Sequence, residues 1–98
     1  MIMRIFQVTT RPGKEAEFSK FFHETAIPLM KGTDGIEDIT FCLPGESTPN
    51  EFATVMIWRD LEALKAFVGD DYQTPHIHPD EAGIVKNRFL HHYELLPT

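Results

Sequence analysis

Apolar positions recur along this chain with two different periods, and the switches between them mark out six elements. Ile2 to Thr9 (IMRIFQVT) is rich in β-branched and aromatic residues and predicts a first strand. Thr10-Arg11-Pro12-Gly13 breaks it. From Lys14 to Lys31, Ala16, Phe18, Phe21, Phe22, Thr25, Ala26 and Leu29 recur every three to four residues, the spacing of a helix. Pro28 should end or kink that helix, because proline has no amide donor and clashes with the preceding turn. Gly32 to Gly35 is a turn cluster. Ile36 to Leu43 predicts a second strand, Pro44 to Asn50 a polar loop, and Glu51 to Arg59 a third strand antiparallel to the second. Asp60 has the acceptor oxygen of an N-cap, opening a second helix over Leu61 to Val68. Gly69 to Gly83 is irregular, with a short helical turn expected at Pro79-Asp80-Glu81. Lys86 to Leu96 predicts the last strand. The order is β-α-β-β-α-β, a ferredoxin-like α+β domain over residues 1–98, with a four-stranded antiparallel sheet and both helices on one face.

The strands do not alternate apolar with polar. In the third, Phe52, Thr54, Met56 and Trp58 share one face, and Ala53, Val55 and Ile57 the other. In the first, Ile2, Phe6 and Val8 oppose Met1, Met3 and Ile5. In the second, Ile36 and Cys42 are expected opposite Ile39, Phe41 and Leu43. A sheet with one face in water should read apolar-in, polar-out. Two helices cover only one face, so the other is expected to bury itself against the same sheet of a second chain, giving a homodimer.

Composition narrows the partners. With 9 Lys and Arg against 15 Asp and Glu, the net charge is −6. That charge disfavours nucleic acid and anionic membrane surfaces. No stretch approaches the ~20 apolar residues of a membrane span, and the N-terminus lacks the form of a signal peptide. The single Cys42 suits a reducing cytoplasm. No glycine-rich phosphate loop gives a nucleotide cofactor a seat.

The steps Val8-Thr9-Thr10-Arg11-Pro12-Gly13-Lys14-Glu15 and Gly35-Ile36, the stretch Met56 to Phe67 (MIWRDLEALKAF) and the ending His91-His92-Tyr93-Glu94-Leu95 resemble the antibiotic biosynthesis monooxygenase family of the dimeric α/β-barrel superfamily. The resemblance covers nearly the whole chain, and its motifs are largely structural. It implies a dimer with a small cavity between sheet and helices. Some members oxidise phenolic or anthrone-like substrates with oxygen and no metal or flavin; others degrade haem, or act in aldehyde or signal-molecule metabolism. The haem-degrading branch uses an Asn on the first strand, a Trp on the third and a His after the second helix. Trp58 and His76 match the latter two, but Phe6 stands where the Asn would be.

Candidate chemistry centres on histidine. His76 and His78, in Pro75-His76-Ile77-His78-Pro79, share one side of an extended segment. Without a third ligand at a recognisable spacing, they suit acid–base or hydrogen-bonding roles at a cavity mouth better than a metal. His91 and His92 must face opposite sides of the last strand, and His91, beside Phe89 and Tyr93, is the better cavity candidate. His76 or His91 is therefore the expected catalytic base. Trp58 is expected to stack on a planar ligand. Phe22 and His23 border the cavity from the first helix, and Arg88 and Tyr93 could hold a phenolate or carbonyl oxygen. Expected ligands are small aromatic or hydrophobic molecules, with no cofactor. A non-catalytic small-hydrophobe binding or stress-response protein would use the same cavity.

Overall fold

The computed structural model describes residues 1–75 and 83–97. Four strands, β1 (Ile2–Thr10), β2 (Ile36–Cys42), β3 (Glu51–Trp58) and β4 (Val85–Glu94), form one sheet of order β2-β3-β1-β4. Every neighbouring pair is antiparallel. Each strand begins or ends within two residues of its predicted bounds.

The first helical stretch is continuous but changes pitch. An α-helix, α1 (Glu15–Phe21), passes through a π-helical turn at Phe22–Ala26 into a short α2 (Ile27–Lys31). The backbone N–H of Ile27 reaches back five residues to the Phe22 carbonyl. Pro28 neither ends the helix nor breaks it sharply. The wider turn just before it takes up the missing amide and the ring's bulk, a common remedy for proline inside a helix. The second helix, α3 (Leu61–Val68), starts where expected: Asp60 Oδ1 accepts a hydrogen bond from the Ala63 amide at 2.8 Å.

Both helical layers pack on one face. Val8, Phe18, Phe22, Ala26, Phe52 and Val85 form one buried cluster. Met56, Trp58 and Leu64 form another beneath α3. Gly35 fixes how closely α3 approaches the sheet. Its φ is +92°, and a Cβ there would stand 2.5 Å from Ala63 Cβ.

The register corrects the predicted faces of β2. Pairing slips between Ile36 and Asp38, so Ile36 opposes Trp58 while Ile39 opposes Met56 and Phe41 opposes Thr54. The irregularity puts Ile36, Ile39 and Phe41 on the helix-covered side and leaves Cys42 on the other, opposite Ala53. A strict two-residue period cannot anticipate an extra residue.

The opposite face of the sheet carries Met3 and Ile5 from β1, Ala53, Val55 and Ile57 from β3, and Phe89, His91 and Tyr93 from β4. Phe89 is 47% exposed and Tyr93 52%. No described helix covers it.

Candidate functional site

The space between the α1–α2 helical stretch and the sheet is not filled. It forms a cavity of about 520 Å³. Phe18, Phe21, Phe22, Thr25, Ala26, Leu29 and Met30 line it from the helices. Arg4, Phe6 and Val8 line it from β1, Phe52, Thr54 and Met56 from β3, and Phe67 and Val68 from α3. Helical spacing places the first set on one side, and strand alternation places the sheet residues opposite them. The phenylalanines pack on one another: Phe18 and Phe52 ring centres lie 4.7 Å apart, and Phe22 meets Phe52 and Phe41 at 5.7 Å. Such a wall favours a flat apolar guest.

Among the described lining residues, Arg4 is the charged one. Arg4 is only 6% exposed, although it stands in the middle of an apolar strand. Its Nη1 lies 3.1 Å from the Tyr72 carbonyl, to which it donates, and 2.9 Å from His92 Nε2. Its guanidinium carbon lies 5.9 Å from the centre of the Phe6 ring. Burial pushes its pKa down to about 10, which still leaves it protonated at neutral pH. The His92 ring meets Tyr72 edge-on at 5.0 Å. Burial first, then the Arg4 charge and His91, lower the His92 pKa from its ordinary 6.5. An uncharged His92 whose Nε2 accepts the Arg4 proton carries its own proton on Nδ1. Arg4, held from behind by Tyr72 and His92, thus brings a charge to a cavity whose other described polar lining residues are Thr25 and Thr54.

The expected site residues divide. Phe22 lines the cavity. Trp58 does not: it is fully buried, backing Phe67 at 5.5 Å, and its Nε1 has no hydrogen-bond partner among the described residues. His91 is also displaced. β4 pairs with β1 so that His92 opposes Arg4 and His91 opposes Ile5. His92 therefore points to the helix-covered side, and His91 lies on the uncovered face. There its ring lies tilted against Phe89, centres 3.9 Å apart, and meets the Tyr93 hydroxyl at 3.3 Å. Tyr93 shares that uncovered face. Aromatic neighbours misled the assignment, because both sheet faces are aromatic. His23 is exposed, with Nδ1 donating to the Ser19 carbonyl at 2.8 Å. Arg88 lies on the helix-covered side opposite Val8, outside the cavity lining. His76 and His78 lie outside the described residues. Among the described residues, no three His, Cys, Asp or Glu side chains converge as a metal site, and no helix is long and apolar enough to cross a membrane.

Arg4 escaped the sequence reading, and His92 was weighed there but ranked below His91, though a signal for Arg4 was present. Arg4 alternates with Ile2, Phe6 and Val8, so the period-two pattern already placed a cation on a core-facing row.

An antiparallel four-stranded sheet with its helices on one face defines the class of the fold as ferredoxin-like α+β. Within it, the chain belongs to the antibiotic biosynthesis monooxygenase family, whose sequence profile matches residues 1–78. No curated protein matches it at a significant level. Solved structures share the fold at low identity. A Deinococcus radiodurans protein described as a candidate antibiotic biosynthesis monooxygenase is 14% identical, with a TM-score of 0.77 over 100% of this chain and 95% of that one. A Pseudomonas aeruginosa protein is 14% identical, with a TM-score of 0.75 over 98% and 94%. A variant of MhuD, with two manganese protoporphyrin IX molecules bound per active site, is 16% identical, with a TM-score of 0.70 over 100% and 97%.

Proposed function

We propose that the chain binds a small aromatic or quinol-type molecule in the cavity beneath its helices and oxidises it with molecular oxygen, without metal or flavin. The carrying observation is the cavity: about 520 Å³, walled by phenylalanine and aliphatic side chains, with the Arg4 charge among its described lining. That volume lies within the usual ~300–1,000 Å³ of small-molecule sites. Family membership supports the oxygen chemistry. In an anthrone-like substrate, a base removes a proton from the ring CH₂ and the electron-rich anion reduces oxygen. One oxygen atom becomes the new carbonyl, and the other leaves as water with the two hydrogens. The protein's part is a base and a dry pocket. His76 is the proposed base, since His91 stands on the other side of the sheet. The chain acts as a homodimer joined through the uncovered sheet face, in a reducing cytoplasm that suits its one free cysteine.

A second reading, a non-catalytic carrier of small hydrophobes, is favoured by one specific observation. Among the described lining residues, the polar side chains are Arg4, Thr25 and Thr54, and none takes up a proton at neutral pH. Oxygen uptake with a panel of anthrones and quinols separates the two. Turnover that falls at least tenfold in His76→Ala supports the oxygenase. Saturable binding without uptake supports the carrier, and no binding overturns both.

A further inference from the structure

We propose that Arg4 is the anchor for an acidic ligand, so that the cavity takes an aromatic molecule carrying a carboxylate. The inference rests on the cavity reading above and adds the chemical class of its guest.

Burying a guanidinium is costly unless an anion compensates it. Arg4 is 6% exposed on a core-facing strand row between Ile2 and Phe6. Among the described residues, ion pairs join Lys14 to Glu17 and Arg59 to Asp34 and Asp60, and none reaches Arg4. Its two partners among the described residues, the Tyr72 carbonyl and His92 Nε2, are neutral acceptors, and both sit on Nη1. A guanidinium has five N–H donors. The hydrogen bonds to described residues both fall on Nη1, and Nε and Nη2 are not among the buried unpartnered groups, so that edge is turned to the cavity rather than sealed in the core. Those two parallel N–H groups form the fork that receives both oxygens of a carboxylate. Tyr72 and His92 hold the head group in place from the other edge. The neighbouring walls are Phe6, Met56 and Phe67, so the acid would sit at one end of a flat apolar body. A neutral guest brings no anion to a charge that no described residue pairs, which makes the site selective as well as receptive.

The test compares 2-naphthoate with its uncharged isostere 2-naphthamide by calorimetric titration at pH 7. Wild-type protein should bind the acid at least tenfold more tightly than the amide. Arg4→Met should abolish that preference. It should also raise the melting temperature by about 4–8 °C, because a buried charge is gone. A purely structural arginine would lower it. In the wild-type protein, the Arg4 Nε–H resonance should move on titration with naphthoate and stay still with naphthamide, a readout that needs no variant. Equal binding of both probes by wild-type protein, or an acid preference that survives in Arg4→Met, overturns the inference and leaves the cavity reading intact. Failure of both probes to bind at millimolar concentration overturns the cavity reading and this inference together.

Discussion

Arg4 and His92 meet across β1 and β4, and each changes the other's chemistry. The Arg4 charge and burial both disfavour a proton on His92, so its pKa in the folded chain lies below the ordinary 6.5 of the unfolded one. Between those two values the unfolded chain binds more protons, so stability falls as the pH falls. The melting temperature should be flat above about pH 7 and decline once the pH drops below about 6.5. His92→Gln, which accepts the Arg4 hydrogen bond but does not titrate, should flatten the curve between pH 7.5 and 5.5. An unchanged curve in that variant would assign the acid loss to other groups.

At the scale of elements, two local devices set the cavity's walls. The π-helical turn at Phe22–Ala26 keeps the helix running past Pro28, so that Leu29 and Met30 reach the cavity along with Phe18 and Phe22. Gly35 sets the other wall. Its positive φ and its closeness to Ala63 let α3 lie tight against the start of β2, over Trp58. A methyl group there must both strain the backbone and push α3 outward. Gly35→Ala should therefore destabilise the domain by about 2–4 kcal/mol in denaturant unfolding. Gly32→Ala, where a Cβ meets nothing within 4 Å, is the matched control and should stay within about 1 kcal/mol of wild type. Strand and helix types were readable because hydrophobic period reports them directly. The π turn and the slip between Ile36 and Asp38 were not, since each depends on one residue accommodating its neighbours in space.

For the whole molecule, the uncovered sheet face is the feature with the largest consequence. Ile57, Val55, Ile5 and Met3 lie side by side across β3 and β1, with Phe89 and Tyr93 exposed at the β4 edge. A contiguous apolar face of this kind marks an association surface. Light scattering should give twice the 11.3 kDa of one chain, and Val55→Asp, which buries a charge at the face's centre, should give the monomer. A wild-type monomer at micromolar concentration would sink the homodimer proposal. The cavity lies on the other side of the sheet, so the two surfaces can be altered separately.

Taken alone, the residue pattern determined the six elements, their order, the Asp60 cap and the apolar character of both sheet faces. These are properties of period and local chemistry, and they need no knowledge of neighbours. Tertiary structure decided which row of each strand lies under the helices. That choice turns on register, and a shift of one residue exchanges the two faces. It sent His92 rather than His91 to the helix-covered side, sank Trp58 behind Phe67 instead of onto the cavity surface, and brought the Arg4 head group to the cavity beside Tyr72 and His92.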